Sequence, residues 1–258
     1  MSANFFNNTK AEFLKLRRTS ALWLTLFASA FIPIIDCLIC IERPNDMKPK
    51  FKTDSWLVFF HFTLKNTAAV ILPFYVILMV SQVLQIEYRN AMWKQVYTTP
   101  RKYADIFFSK VIVIHALIIS FLILFNCFTL LSASVINLAQ PGFNFFAAPI
   151  PWVKILSTTA RVYAGILGVS AIQYWLSTRY RNFVIPLGLG FGLWAAGLAL
   201  MEWDKIIYCP YMYATLLFFN DRAHDPGEYT TLITCALSCF PLFLLVGFWN
   251  IYRLKEKG

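Results

Sequence analysis

Few side chains in this 258-residue chain have the chemistry for catalysis, and those few are scattered. Cys37 and Cys40 form a Cys-x-x-Cys, Cys235 and Cys239 stand one helical turn apart, and Cys127 and Cys209 are isolated. A helical Cys-x-x-Cys serves redox or metal chemistry when a thioredoxin-like or zinc-binding context surrounds it, and no thioredoxin-like context is present here. Cysteine also packs as a small hydrophobe, and a disulfide through Cys209 is a third use open to these residues. His61, His115 and His224 fall in three different segments, so a metal site would need a convergence to which no spacing points. The chain has no His-Glu-x-x-His, no Gly-x-Ser-x-Gly and no Gly-x-x-x-x-Gly-Lys-Ser/Thr, so it cannot hydrolyse ATP alone. Gly188-Leu-Gly190-Phe-Gly192 imitates a phosphate loop, but an apolar run encloses it and no strand-to-helix context accompanies it. The expectation is a chain with no catalytic residue, no metal and no directly bound cofactor.

Asp36 and Arg161 are of another kind, because each interrupts an apolar run. In hydrocarbon a charged side chain must snorkel to the interface, meet a partner or line a water-filled cavity. Both are therefore candidate cavity residues, and an Asp36 to Arg161 pair is the specific hypothesis. Gly188, Gly192 and Ala196 recur at every fourth position of another apolar run, a spacing that lets helix backbones approach closely.

The elements that must position these residues follow from composition. Apolar residues make up 59% of the chain, aromatic residues 17% and charged residues only 14%, with a mean hydropathy of +0.59. The charges gather into short segments between apolar runs long enough to cross a hydrocarbon core of about 30 Å. Those runs lack the alternation of barrel strands, so backbone satisfaction requires helices. The sequence predicts an all-α integral membrane protein, one transmembrane domain over 1–258, with spans near 21–41, 66–86, 111–136, 155–176, 183–201 and 230–252. Residues 42–65 read as an outer loop whose Ser55–Leu64 portion rests in the interface. The apolar run after Lys15-Leu-Arg-Arg18 is too long for a signal-peptide core and has no small-x-small site after it, so it reads as a retained first span.

The net charge of +10 raises nucleic acid as a partner, and its distribution argues against that. With the N-terminus inside, the whole excess falls in the inner segments, in residues such as Lys15, Arg17, Arg89, Lys94, Arg101, Lys110, Arg179 and Arg253, while the other charges cancel. This positive-inside asymmetry predicts both termini in the cytoplasm and an even number of spans. Residues 5–18 form a candidate interfacial helix with Phe6, Phe13 and Leu16 on one face, interrupted by Lys10 and Arg17, and with membrane lipid as its partner. Residues 202–229 hold an apolar stretch, Ile206–Phe219, too short for a crossing and suited to a re-entrant or interfacial element.

The only long inner insert with a strong positive excess is Glu87–Lys110. Wound as a helix from Glu87 to Tyr97, it sets Tyr88, Met92 and Val96 one turn apart with Trp93 and Tyr97 beside them, and Glu87, Asn90 and Lys94 opposite. Pro100 stops it by removing a donor and restricting Thr99. Such a helix lies in the lipid interface, docks into a groove on a soluble partner, or is simply a solvated connection.

Taken together, the six spans, the basic leading segment, this insert and the long apolar outer segment resemble the permease subunits of type-two ATP-binding-cassette exporters. The local resemblance lies in Glu87 at the inner end of the second span, Arg89, the turn at Pro100-Arg101, and Lys110 opening the third span. The size and short loops are most similar to the bacitracin and lantibiotic-immunity branch. The resemblance implies two permeases, identical or sibling, seated on two cytoplasmic ATPase subunits that bind the ATP. The Glu87–Tyr97 helix would be the coupling helix, with Glu87, Tyr88, Arg89, Met92, Trp93, Val96 and Arg101 at the ATPase interface. Residues 5–18 would be the interfacial elbow, and Ile206–Phe219 the outer element that lids the exit. The competing reading is an integral membrane enzyme or assembly subunit without an ATPase partner.

Overall fold

The computed structural model describes residues 3–17, 19–51, 54–89, 103–180, 182–219 and 226–255. Among these residues every regular element is helical. α1 (Ala3–Leu16) leads into α2 (Ala21–Glu42), and after short turns come α3 (Ser55–Asn66) and α4 (Leu72–Arg89). α5 (Tyr103–Ala139), α6 (Trp152–Arg179) and α7 (Val184–Ala199) follow, then the short α8 (Tyr213–Phe219) and α9 (Pro226–Lys255).

Among the described residues five helical stretches are long and apolar enough to cross a membrane: Ala21–Glu42, Ser55–Ile86, Ala104–Ala139, Trp152–Arg179 and Thr230–Asn250. The expected fifth span corresponds to α7, an apolar helix of 16 residues that falls short of that length. The expected second span is longer than its apolar run. The Asp54 side chain accepts the Leu57 N–H at 3.1 Å and caps α3, which then runs through one π-helical turn, Thr67–Ile71, into α4. Ser55–Leu64 thus belongs to the crossing helix rather than to an interfacial loop.

Pro73 sits just inside α4 and has no N–H to give the Ala69 carbonyl four residues back. Trp194 of α7 supplies that bond, its Nε1–H donating to the Ala69 oxygen at 3.1 Å. A proline in a membrane helix is sustained in this way by a neighbouring element. Lipid tails are as apolar as the side chains, so packing shape and hydrogen bonds, more than hydrophobicity, hold such helices together. Tyr75 of α4 is one such tie: its hydroxyl lies 2.9 Å from Thr25 Oγ1 of α2 and donates to the Leu117 carbonyl of α5 at 3.2 Å.

α2 packs along α5, and α6 is the central helix, touched by α4, α8 and α9. Phe248 of α9 meets Phe107 edge-on and stacks on Phe108 near the start of α5, where α1 also docks. α1 and the Phe248 turn of α9 therefore lie at one end of the bundle. At the opposite end an aromatic cluster of Phe51, Trp56, Phe59, Phe143 and Phe145 joins the two connections there. Ser55 Oγ donates to the Phe143 carbonyl at 2.7 Å, and Trp56 Nε1 to the Ala148 carbonyl at 3.2 Å.

Candidate functional site

Two places in the bundle are built from polar groups where apolar ones would be expected. The first is the docking of α1. Its buried face is polar: Asn8 and Glu12 are sealed together with Leu16, whereas Phe6 and Phe13 point outward. The face predicted for Phe6, Phe13 and Leu16 is therefore split between lipid and protein. Glu12 receives Lys110 of α5 at 2.8 Å and Lys15 of its own helix at 2.5 Å. Thr9 Oγ1 adds a bond to Ser109 Oγ at 3.2 Å. α5 is 37 residues long, about 55 Å, so its first turns reach beyond the hydrocarbon and present Lys110 to α1.

The second place lies deep in the bundle, where the segment between α7 and α9 dips in. Ile206, Tyr211, Met212, Tyr213, Ala214, Thr215 and Leu216 are all buried. Three glycines make room for it. A Cβ on Gly165 would meet the Ala214 backbone at 2.9 Å, one on Gly197 would meet Met212 at 2.7 Å, and one on Gly168 would touch Pro210 at 3.4 Å.

A single amide anchors this segment. Gln173 of α6 is fully buried; its Nε2 donates to Ser81 Oγ at 3.0 Å and to the Pro186 carbonyl at 2.9 Å. Its Oε1 accepts the Tyr211 hydroxyl at 3.2 Å. Four elements, α4, α6, α7 and the inserted segment, thus meet at one side chain whose donors and acceptor are all used. Gly190 is part of the same arrangement, because a Cβ there would lie 2.6 Å from Gln173 Oε1 and 2.9 Å from Ile77. Gln173, Ser81 and Glu12 were not singled out from the sequence. The available signal was an uncharged amide inside an apolar run, which in membranes tends to face another helix.

The other predicted residues are placed as follows. Asp36 faces inward from α2 and is buried, its Oδ2 without a hydrogen-bond partner. Arg161 is exposed on α6 and donates to Thr158 Oγ1 at 2.9 Å. The structure does not bring the two together, which corrects the proposed pair: one points into the bundle and the other away from it. Gly188, Gly192 and Ala196 lie on the exposed face of α7, and among the described residues nothing comes within 4 Å of a Cβ on either glycine. Close packing within the chain falls instead to Gly190 and Gly197. All six cysteines are free thiols. His115 meets the Tyr163 hydroxyl at 3.2 Å, and among the described residues no three His, Cys, Asp or Glu side chains converge. Glu87, Tyr88 and Arg89 form the last turn of α4. Met92, Trp93, Val96 and Arg101 lie outside the described residues.

Compared with known families, the chain matches a family described as ABC-2 family transporter protein over residues 9–197, from α1 to near the end of α7. No curated protein and no solved structure matches.

Proposed function

Because this chain belongs to the ABC-2 transporter family, we propose that it is the permease subunit of an exporter that moves a hydrophobic or amphipathic substrate outward. Permeases of this family are multi-pass membrane components of transporters and normally work with an ATPase subunit. In this reading the ATP is bound and hydrolysed by that separate cytoplasmic partner, and two permeases, identical or sibling, share the assembly in the cell membrane. Six spans place both termini in the cytoplasm, with α7 as the fifth crossing. The cargo belongs to the drug or antimicrobial-peptide class, as in the bacitracin and lantibiotic-immunity branch.

The observation that carries the reading is at the end of the bundle where α1 docks. α4 runs to Arg89 and α5 from Tyr103, so residues 90–102 connect two helices of the bundle in sequence, and the second of these is tied to α1 through Lys110 and Glu12. A push on that connection would act on α5 directly and, through Glu12 and Lys110, on α1. Glu87, Tyr88, Arg89, Met92, Trp93, Val96 and Arg101 are then the coupling surface for the ATPase. The segment from Ile206 to Phe219, anchored at Gln173, is the plug on the export path.

Co-expression with the ATPase subunit tests this. The double substitution Met92→Asp and Trp93→Asp should lower ATPase co-purification at least ten-fold while the permease keeps its elution profile. Undiminished co-purification, or transport by the permease with no ATPase present, would overturn it.

A further inference from the structure

At the end of the bundle opposite α1, a shallow groove of about 440 Å³ opens on the surface of α3. Leu57, Val58, His61, Phe62, Lys65 and Phe218 line it, and the Phe218 ring lies 5.6 Å from the His61 ring. Two cations of α6, Arg161 and Lys154, lie on its Phe218 side: Gly165, one turn from Arg161 on the same face, would bring a Cβ within 3.1 Å of Leu217, the neighbour of Phe218. They are seven residues apart, hence on one stripe of α6 and about 10 Å apart along its axis. Both are exposed. Arg161 has only Thr158 for company, and neither residue makes an ion pair among the described residues.

An arginine nine residues inside a membrane helix must snorkel, face water or meet a partner, and an anion is the partner that best satisfies its guanidinium fork. Asp36 does not serve, being buried on another face. The anion must come from outside the described chain. A soluble anion does not suit an apolar groove on a membrane helix, whereas an amphiphile does: its tails cover Leu57, Val58, Phe62 and Phe218, and its head faces the cations. A phosphodiester offers two oxygens to the guanidinium fork in the bidentate geometry that favours arginine over lysine.

We propose that this groove is a binding site for an anionic phospholipid of the leaflet opposite α1, with Arg161 and Lys154 holding the phosphate and the α3 face holding an acyl chain. The site depends on no assumption about transport or cargo, and its failure would leave the permease reading untouched.

Native mass spectrometry of the delipidated full chain tests it, with phosphatidylglycerol and phosphatidylcholine of matched acyl chains as probes. The wild type should retain phosphatidylglycerol in preference by roughly five-fold for each cation engaged. Arg161→Gln with Lys154→Gln should bring the ratio near one, whereas the control pair Lys50→Gln with Lys205→Gln should leave it unchanged. Val58→Trp, which fills the groove and keeps the charges, should lower retention of both lipids. The proposal is overturned if the Arg161 and Lys154 double variant keeps the wild-type ratio, if Val58→Trp retains both lipids as before, or if equimolar inorganic phosphate or an acidic peptide displaces the bound lipid.

Discussion

Glu12 and Lys110 are 98 residues apart in sequence and 2.8 Å apart in space, and both are almost sealed from solvent. Removing one member of a buried pair costs about 3–5 kcal/mol when the other charge is left uncompensated, and Lys110→Met leaves Glu12 only its more exposed partner Lys15, whereas replacing both is far milder. Lys110→Met should therefore lower the thermal midpoint in detergent markedly, and adding Glu12→Gln should recover much of the loss. Equal destabilisation by the single and double variants would show that the pair is not the fastening of α1.

The amide of Gln173 predicts a ranking. Tyr211→Phe deletes one hydrogen bond, a loss of about 1 kcal/mol, while Gln173→Leu strips partners from Ser81, Pro186 and Tyr211 together, about 1–3 kcal/mol for each group left unsatisfied. Gln173→Leu should be the more destabilising of the two in thermal melts. Accessibility of Cys209, on the inserted segment, to a thiol reagent should rise in the same order. If Tyr211→Phe matched Gln173→Leu in both measurements, the anchor would not be Gln173.

Three glycines spaced two residues apart on α7 should differ in their response to the same methyl. Gly190→Ala drives a Cβ onto Gln173 and Ile77, an overpacking worth about 1–3 kcal/mol. Gly188→Ala and Gly192→Ala meet open space and should leave the melting midpoint of the isolated chain unchanged. A Gly192→Leu variant that melts normally yet loses self-association in a crosslinking assay would place a second permease on that face.

Asp36 and Arg161 should behave independently. A double-mutant cycle of Asp36→Asn and Arg161→Gln is expected to be additive within about 0.5 kcal/mol, as for sites that share no partner. Asp36→Asn alone should be tolerated or mildly stabilising, since it removes a buried charge that no hydrogen bond compensates at Oδ2. A coupling energy above about 1 kcal/mol would restore the pair that the structure separates.

The legible part of the sequence was what one-dimensional patterning carries. Hydropathy and span length announced membrane helices, because in lipid the backbone has few other ways to satisfy itself. Ile206–Phe219 read as re-entrant or interfacial from its length and the charge balance, without the burial that most of it shows, and Pro73 announced a freed carbonyl without saying what would meet it. Boundaries were read less well. Lys65 and Asn66 ended the apolar window, while the helix itself continued on the Asp54 cap and a π-helical turn.

Tertiary structure decided the partners. Which face of α7 is closely packed could not be read from a small-residue stripe, since Gly188 and Gly192 differ from Gly190 only by a rotation about the helix axis. Trp194 on the Ala69 carbonyl, Glu12 with Lys110, and Gln173 with Tyr211 all join residues far apart in the chain, at the rotation and depth at which separate helices meet. Polarity falls off with depth in the bilayer, so hydropathy reports whether a segment enters it. It carries no information on azimuth, and buried polar contacts in lipid are set by azimuth.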